Sequence, residues 1–262
     1  MLFSLIVTGG FTQGVVSNCA LGFRFKEEEK DGLNTLLSDA SVDFASMNSP
    51  RFLHQTVVVK GKGGLKLVAI GGRSSLSNDS WLNSVEVLDL KYYLHPGTFK
   101  KEKKAGVEED YSAICDHVLW ETVAPMKNAR ANFAAVVVND EIYVFGGFKG
   151  RKDTHIPLLA DTIEKYDPKT DQWTDVIFKD APSLAAFSWT YISETKIIVL
   201  GGTNGSMISQ NVYIIDFEKK ECIQKEGEVD THVELSKLAY KASEDALYIF
   251  GGKGSDGLNY KL

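Results

Sequence analysis

Residues 126–176 read MKNARANFAAVVVNDEIYVFGGFKGRKDTHIPLLADTIEKYDPKTDQWTDV and divide into four strand patterns separated by turns. The strands are predicted at Phe133–Val138, Ile142–Phe145, Thr162–Tyr166 and Gln172–Val176. β-Branched and aromatic residues are frequent in them, and Asn139-Asp140 and Asp167-Pro168 are turn dipeptides. The stretch therefore predicts one unit of four consecutive β-strands.

The second strand of this unit, which runs into a Gly-Gly pair, recurs five times along the chain. The segments are SLIVTGG (4–10), LVAIGG (67–72), IYVFGG (142–147), IIVLGG (197–202) and LYIFGG (247–252). Because the first glycines stand at 9, 71, 146, 201 and 251, the repeat steps are 62, 75, 55 and 50 residues. Steps near 50 residues are typical of one class of propeller blade, and the longer steps indicate insertions.

Three of these strands are apolar at every position rather than at every second one, which predicts cover on both faces. A propeller supplies that cover because each sheet lies between two neighbours. Glycine suits the strand ends because it reaches positive φ and lets neighbouring backbone come close. The predicted structural glycines are Gly9, Gly10, Gly71, Gly72, Gly146, Gly147, Gly201, Gly202, Gly251 and Gly252.

The best-preserved unit resembles a kelch repeat, most of all those of the BTB-kelch adaptor proteins. The resemblance rests on Arg130, Gly146-Gly147, Glu164-x-Tyr166-Asp167 and Trp173. The preceding unit repeats it with Glu86-x-Leu88-Asp89 and Trp120, and the following unit has Cys222 where the Trp would stand. The resemblance implies an all-β kelch β-propeller that covers the whole chain as one domain.

Five four-stranded blades are recognisable, and the first and last are incomplete. The predicted blades are 1–47, 48–126, 127–179, 180–229 and 230–262. The first lacks its innermost strand and the last its outermost strand. We expect either a fragment of a longer propeller, which has six blades in the adaptor relatives, or a five-bladed ring closed imperfectly; the sequence favours the fragment.

Composition predicts a soluble protein of the cytoplasm. Hydrophobic residues make up 44% and charged residues 24% of the chain, as in globular domains. The net charge of −6 argues against a nucleic-acid or anionic-membrane surface. The three cysteines form no disulfide or zinc pattern, and the five histidines stand at no metal-ligand spacing, so we predict neither a metal nor a cofactor. The apolar start MLFSLIV is interpreted as a strand because it lacks the basic region of a signal peptide.

The kelch resemblance implies that two sets of loops share one rim and hold a peptide partner there: those after each Gly-Gly strand and those before each innermost strand. Arg51 in SPRFLH and Arg130 in NARANF stand in comparable stretches, and guanidinium groups bind carboxylates bidentately. Ala185 and Leu235 take the corresponding places in the next two units, which predicts a one-sided basic and aromatic rim for an acidic peptide. The predicted partner-binding residues are Arg51, His54, Arg73, Arg130, Asn132, Phe148, Lys149 and Arg151. The alternative is that each arginine only holds its own blade together.

Residues 91–113 form an insertion with mixed charges, which favours a solvated mobile loop over a nuclear-localisation or docking role. Tyr92, Tyr93 and Phe99 are candidates to anchor it on the blade.

The resulting hypothesis is a non-enzymatic protein-interaction module. The resemblance implies substrate recognition for a ubiquitin-ligase adaptor, or actin or cytoskeletal binding, with a BTB/cullin-type ligase or actin contacted through regions outside this chain. The alternative is a kelch-fold enzyme that acts on a sugar, of the epimerase or oxidase type. No catalytic residue is predicted.

Overall fold

A computed structural model describes residues 5–30, 33–94, 119–150, 157–225, 233–234 and 236–254. The described chain is built from antiparallel sheets and has one short helix, α1, at Lys91–Leu94. This architecture confirms the all-β class and the blade arrangement. No helix in these ranges is long and apolar enough to cross a bilayer.

The first blade has three strands in its sheet and a short ribbon beyond its glycines. Its strands are β1 (Leu5–Thr8), β2 (Phe11–Thr12), β3 (Val15–Val16), β4 (Ala20–Lys30) and β5 (Leu33–Asp43). The sheet order is β1-β4-β5, while β2 pairs with β3. β1 pairs only with the first part of β4, Ala20–Phe23. β5 pairs with nearly the whole of β4, from Leu21 to Lys30.

Blades two, three and four are complete four-stranded sheets. Blade two comprises β6 (Gln55–Gly61), β7 (Gly64–Ile70), β8 (Val85–Asp89) and β9 (Glu121–Val123). Blade three comprises β10 (Ala134–Val138), β11 (Glu141–Phe145), a ribbon of β12 (Phe148–Lys149) and β13 (Leu158–Leu159), β14 (Ile163–Asp167) and β15 (Gln172–Val176). Blade four comprises β16 (Ser188–Ser193), β17 (Lys196–Leu200), β18 (Val212–Asp216) and β19 (Glu221–Gln224).

In the last blade, two pairs of strands are described. The strands are β20 (Val233–Glu234), β21 (Lys237–Lys241), β22 (Ala246–Phe250) and β23 (Lys253–Gly254). β21 pairs with β22 and β20 with β23. The third strand that we expect near Leu262 falls outside the described residues.

Within the described residues the hydrophobic core forms three clusters, each lying between two neighbouring blades. Alternate residues of β11 contribute to different clusters. Ile142 and Val144 pack towards blade two, whereas Tyr143 and Phe145 pack towards blade four. The strand is thus covered on both faces, as its continuous apolar sequence predicts, and burying its side chains stabilises two blade interfaces at once.

The two terminal blades each leave one apolar face open among the described residues. Leu5 and Val7 of β1 are exposed while Ile6 between them packs into the core. Tyr248 and Phe250 of β22 are exposed in the same alternating way.

Two tryptophans connect the outermost strands to the segments that enter their blades. The indole Nε1 of Trp173 donates to the carbonyl of Ala124 at 2.8 Å, and that of Trp120 donates to Ala45 at 2.6 Å. Tyr166 lies against Trp173, with ring centroids 5.1 Å apart. Tyr93 at the start of the insertion is buried, and its hydroxyl accepts the N–H of Ala45, so it anchors this part of the insertion. The side chain of Tyr92 and residues 95–113, including Phe99, lie outside the described part of the chain.

A repeated backbone contact, which we call the blade seam, joins consecutive blades. The N–H of Gly10 donates to the carbonyl of Arg51 at 2.9 Å, and that of Gly72 donates to Arg130 at 2.9 Å. The N–H of Gly147 donates to Leu184 at 2.8 Å. The second glycine of one blade therefore binds an equivalent carbonyl in the next blade.

The seam carbonyl explains the first glycine of a pair, and close packing within the same blade explains the second. Gly146 and Gly147 have φ of 65° and 86°, values that favour glycine. A Cβ on Gly146 would lie 2.6 Å from the carbonyl oxygen of Leu184, and a Cβ on Gly147 would lie 2.6 Å from the Cβ of Phe133.

We predict that Gly147→Ala costs about 3 kcal/mol or more of unfolding free energy, because it adds a steric clash to backbone strain. Gly63→Ala is the matched control: Gly63 has the same φ of 86°, but a Cβ at this position would have no other atom within 4 Å. That substitution should cost only the strain, about 1–2 kcal/mol. Urea unfolding of both variants checks the difference, and equal costs would contradict the close packing of Gly147 against Phe133.

Candidate functional site

The two loop sets meet on one rim in three consecutive blades. Phe52 and Arg73 exchange backbone hydrogen bonds in blade two, Ala131 and Phe148 do so in blade three, and Ala185 and Thr203 in blade four. Each pair joins the loop before an innermost strand to the loop after a Gly-Gly strand. We call the surface formed by both loop sets the rim.

Side chains and backbone form a continuous layer along the rim from blade one to blade three. The rings of Phe11 and Phe52 have centroids 5.4 Å apart. The guanidinium of Arg73 lies 5.9 Å from the ring centroid of Phe52 and 4.9 Å from that of Trp81. Trp81 lies so close to Gly150 of the next blade that any side chain there would collide with the indole. The layer thus joins loops from different blades into one surface.

Arg51 and Arg130 do not lie on this surface, and their prediction as partner-binding residues is wrong. Both side chains are fully buried. Arg130 donates to Glu164 at 2.7 Å, to the carbonyls of Gly146 and Thr162, and to the hydroxyl of Thr162. A guanidinium with these partners is unable to reach a ligand without breaking a buried ion pair.

Arg51 makes the same set of contacts in blade two, which shows that the arrangement belongs to the repeat. It donates to Glu86 at 2.5 Å, to the carbonyls of Gly71 and Ser84, and to the hydroxyl of Ser84. Each glutamate also accepts two backbone N–H groups of the segment entering its blade, from Asn48 and Ser49 in blade two. The structural alternative for the two arginines is therefore the correct one.

In blade four the arginine and the glutamate are replaced together. Leu184 stands four residues before β16, as Arg130 stands four before β10, so the alignment of Ala185 with the arginines is off by one residue. Tyr213 takes the place of the glutamate, because it pairs with Val199 of β17 as Glu164 pairs with Val144 of β11. The place of Asn128, whose N–H the glutamate accepts in blade three, is taken by Pro182, which has no N–H to satisfy.

His54 faces inward between blades one and two and is mostly buried. Its Nε2 is 2.8 Å from the hydroxyl of Thr8, and its ring packs against Gly9. Burial, and secondarily the positive charge of Arg51, lower the pKa of His54 to about 4. The side chain is therefore neutral at neutral pH. Blades three and four have Phe133 and Phe187 at the same position against the preceding blade's glycines.

Four other predicted residues do lie on the rim, and each has partners there. Arg73 also donates to the carbonyls of Leu76 and Ser77, which fixes its own loop. Lys149 forms an ion pair with Asp161 at 2.7 Å. Phe148 and Asn132 are partly exposed in the same surface. Burial lowers the pKa of Arg73. Arg151 lies outside the described residues.

The inner edge of the rim is formed by three residues in the left-handed conformation. Leu53, Asn132 and Ala186, each just before an innermost strand, have φ of 54°, 55° and 54°. The N–H of Asn132 donates to the carbonyl of Leu53, and the N–H of Ala186 donates to that of Asn132, both at 3.0 Å. This chain of hydrogen bonds parallels the blade seam and connects blades two, three and four.

Exposed apolar side chains on the rim were not anticipated from the sequence. Their members, which we call the apolar rim set, are Phe11, Val15, Leu53, Leu76, Leu158 and Met207. The rim loops 9–18 and 202–211 contain no charged residue. The absence of charge in these loops was one signal in the sequence, because soluble monomers rarely expose large contiguous apolar patches without a function for them.

The described residues contain no group of three or more His, Cys, Asp and Glu side chains suited to a metal ion. Cys222 is buried, and burial raises the pKa of its thiol to about 12.

We predict that His54→Phe, which installs the residue type of blades three and four, removes part of the pH dependence of stability. In the native chain the unfolded histidine binds a proton below about pH 6.5 and the folded one only near pH 4. Unfolding free energy should therefore be lost as the pH falls through this window, by up to about 1.4 kcal/mol per pH unit. Denaturant unfolding of both proteins at about pH 7.5 and about pH 5 measures the difference. Identical pH dependence in the two proteins would contradict the burial of a neutral His54.

Comparison with known proteins supports the same architecture. The family model described as the KLHDC2/KLHL20/DRC7 Kelch-repeats domain matches residues 4–252. The chain is 31% identical to the N-acetylneuraminate epimerase of Salmonella enteritidis over 111 residues, which are 42% of this chain and 28% of that protein. It is 28% identical to beta-scruin of Limulus polyphemus over 44% of this chain and 13% of that protein. It is 38% identical to the spermatocyte protein spe-26 of Caenorhabditis elegans over 31% of this chain and 14% of that protein.

These matches span less than a third of the length of each of the three relatives, whereas the family model covers almost the whole chain. Together with three complete four-stranded blades joined by the Gly-Gly seam, the family match shows that the chain belongs to the Kelch-repeat family.

Proposed function

We propose that this chain is a protein-interaction module that binds a protein or peptide partner through the rim. The observation that carries the proposal is the apolar rim set, which exposes large side chains on loops of four blades. Exposed apolar groups on connected loops are typical of interaction surfaces.

The ordering of the rim supports binding without a large entropy cost. The guanidinium of Arg73 lies near the rings of Phe52 and Trp81 and donates to a carbonyl of its own loop. Loops that are fixed before the partner arrives lose less conformational freedom when it binds.

The acidic-peptide form of the hypothesis is weakened by the burial of Arg51 and Arg130. Arg73, Lys127 and Lys149 are basic groups of the described rim, and the two lysines are already paired, with Asp175 and Asp161. Substrate recognition for a ubiquitin-ligase adaptor, and actin or cytoskeletal binding, remain proposals about the partner. A cytoplasmic location remains a proposal as well.

The second candidate is an enzyme that acts on a sugar, and the partial similarity to N-acetylneuraminate epimerases favours it. Such an enzyme requires acid and base groups that converge on its substrate. The buried carboxylates Glu86 and Glu164 are committed to ion pairs and backbone N–H groups. Incubation of the chain with N-acetylneuraminate, followed by proton NMR, tests this candidate; accelerated epimerisation would favour it over the binding module.

The binding proposal predicts that a double variant of the rim, Leu76→Asp with Met207→Asp, loses the ligands that the native chain binds. Both side chains are more than 60% exposed, so the fold should tolerate the change, whereas a partner would have to desolvate two carboxylates. Leu119→Asp is the matched control because Leu119 is equally exposed but precedes β9, at the end of the blade away from the rim.

The measurement uses peptides enriched from a random display library by the immobilised native chain. We expect the rim variant to lose at least about tenfold in affinity and the Leu119 variant to keep native affinity. Enrichment of no peptide, or equal binding by all three proteins, would contradict the proposal.

A further inference from the structure

Leu53 occupies a backbone position that suits other residues better. Its φ of 54° lies in the left-handed region, where a side chain with a Cβ is disfavoured and asparagine is tolerated best after glycine. Blade three has Asn132 at the equivalent place, with φ of 55°, and blade four has Ala186, with φ of 54° and a small buried side chain. The hydrogen bonds of this position are made by backbone atoms, so they do not require leucine.

The side chain of Leu53 is only partly covered by the fold. It is 38% exposed and is absent from the three buried clusters and from the apolar residues packed against them. A leucine that is both exposed and in an unfavourable conformation contributes less to stability than asparagine would at the same place. Its presence therefore points to a role outside stability.

The surroundings of Leu53 select the chemistry of a ligand. The neighbouring positively charged candidates do not face solvent, since Arg51 is fully buried and His54 is turned towards Thr8. Phe52, the residue before Leu53, packs against Phe11 of blade one and lies beneath Arg73. Arg73 is the charged side chain of these residues that faces the rim, and its guanidinium already donates to the carbonyls of Leu76 and Ser77. A charged group placed here would therefore lose hydration and compete with those carbonyls for Arg73, whereas an apolar group needs no such partner.

We propose that Leu53 is the central apolar contact of the rim and that the partner is a peptide segment which places an uncharged aliphatic or aromatic side chain against it. The inference rests on the proposed binding function and deepens it by naming the chemistry of the partner and its main contact residue. On this proposal, leucine at position 53 contributes to the affinity for the partner, whereas asparagine would stabilise the folded chain but weaken binding.

The test compares three substitutions with the native chain, using peptides that the native chain enriches from a random display library. Leu53→Asn removes the apolar contact and relieves the backbone. Leu53→Met keeps an apolar side chain and serves as the rescue variant. Val58→Asn is matched in exposure, at 39% against 38%, and lies further along β6, away from the loops.

We expect the enriched peptides to share an uncharged apolar residue, and Leu53→Asn to bind them at least about tenfold more weakly than the native chain. Leu53→Met and Val58→Asn should bind them with affinities close to native. The melting temperature of Leu53→Asn should equal or exceed that of the native chain, a result that a merely structural leucine would not give.

Three outcomes would overturn the inference. Native affinity in Leu53→Asn, with binding lost in the Leu76→Asp/Met207→Asp variant, would leave the rim as the binding surface and remove Leu53 from it. A lowered melting temperature in Leu53→Asn would make the leucine structural. Enriched peptides that share only acidic residues would assign the rim to a different partner chemistry. If neither Leu53→Asn nor the Leu76→Asp/Met207→Asp variant altered binding, the proposed function itself would be rejected.

Discussion

The structure depends on a short contact between the backbone of one blade and the backbone of the next. The second glycine of a blade donates its N–H to the carbonyl at the arginine position of the following blade, and this contact recurs across three seams. The donor glycine has positive φ, and a side chain on the glycine before it would collide with the same carbonyl, so the pair is fixed by geometry. Apolar residues on alternate faces of β11 then fill the space on both sides of a blade.

The arginine extends this contact into its own blade. Arg130 presents its carbonyl to Gly72 of the preceding blade, while its guanidinium binds the carbonyl of Gly146 and the carboxylate of Glu164. One residue thus links a seam, a glycine pair and the third strand of a sheet. Under the proposed function, partner binding falls to side chains that the repeat does not use, above all those of the apolar rim set.

The blades could be predicted from the sequence because their requirements are local: an apolar run, two glycines and turn dipeptides lie within a few residues of one another. The burial of Arg51 and Arg130 could not be read from their own segments, since the glutamates that bind them lie 35 and 34 residues away. A signal was nevertheless present, because blade four replaces both members of the pair, with Leu184 and Tyr213. No comparable signal marked Leu53, because a single leucine in a loop belongs to no periodic pattern. Only its left-handed backbone conformation distinguishes it.

The claim that these arginines hold the blades together is tested most directly by a double-mutant cycle of Arg130→Leu and Glu164→Gln, measured as unfolding free energy. Glutamine keeps one of the two oxygens that accept the N–H groups of Lys127 and Asn128, and leucine is the residue of blade four. Each single substitution leaves a buried charge unpaired and should cost about 3–5 kcal/mol. The double variant should cost about 2 kcal/mol less than the sum of the two. A loss below about 1 kcal/mol for Arg130→Leu, with additive effects in the cycle, would contradict the account.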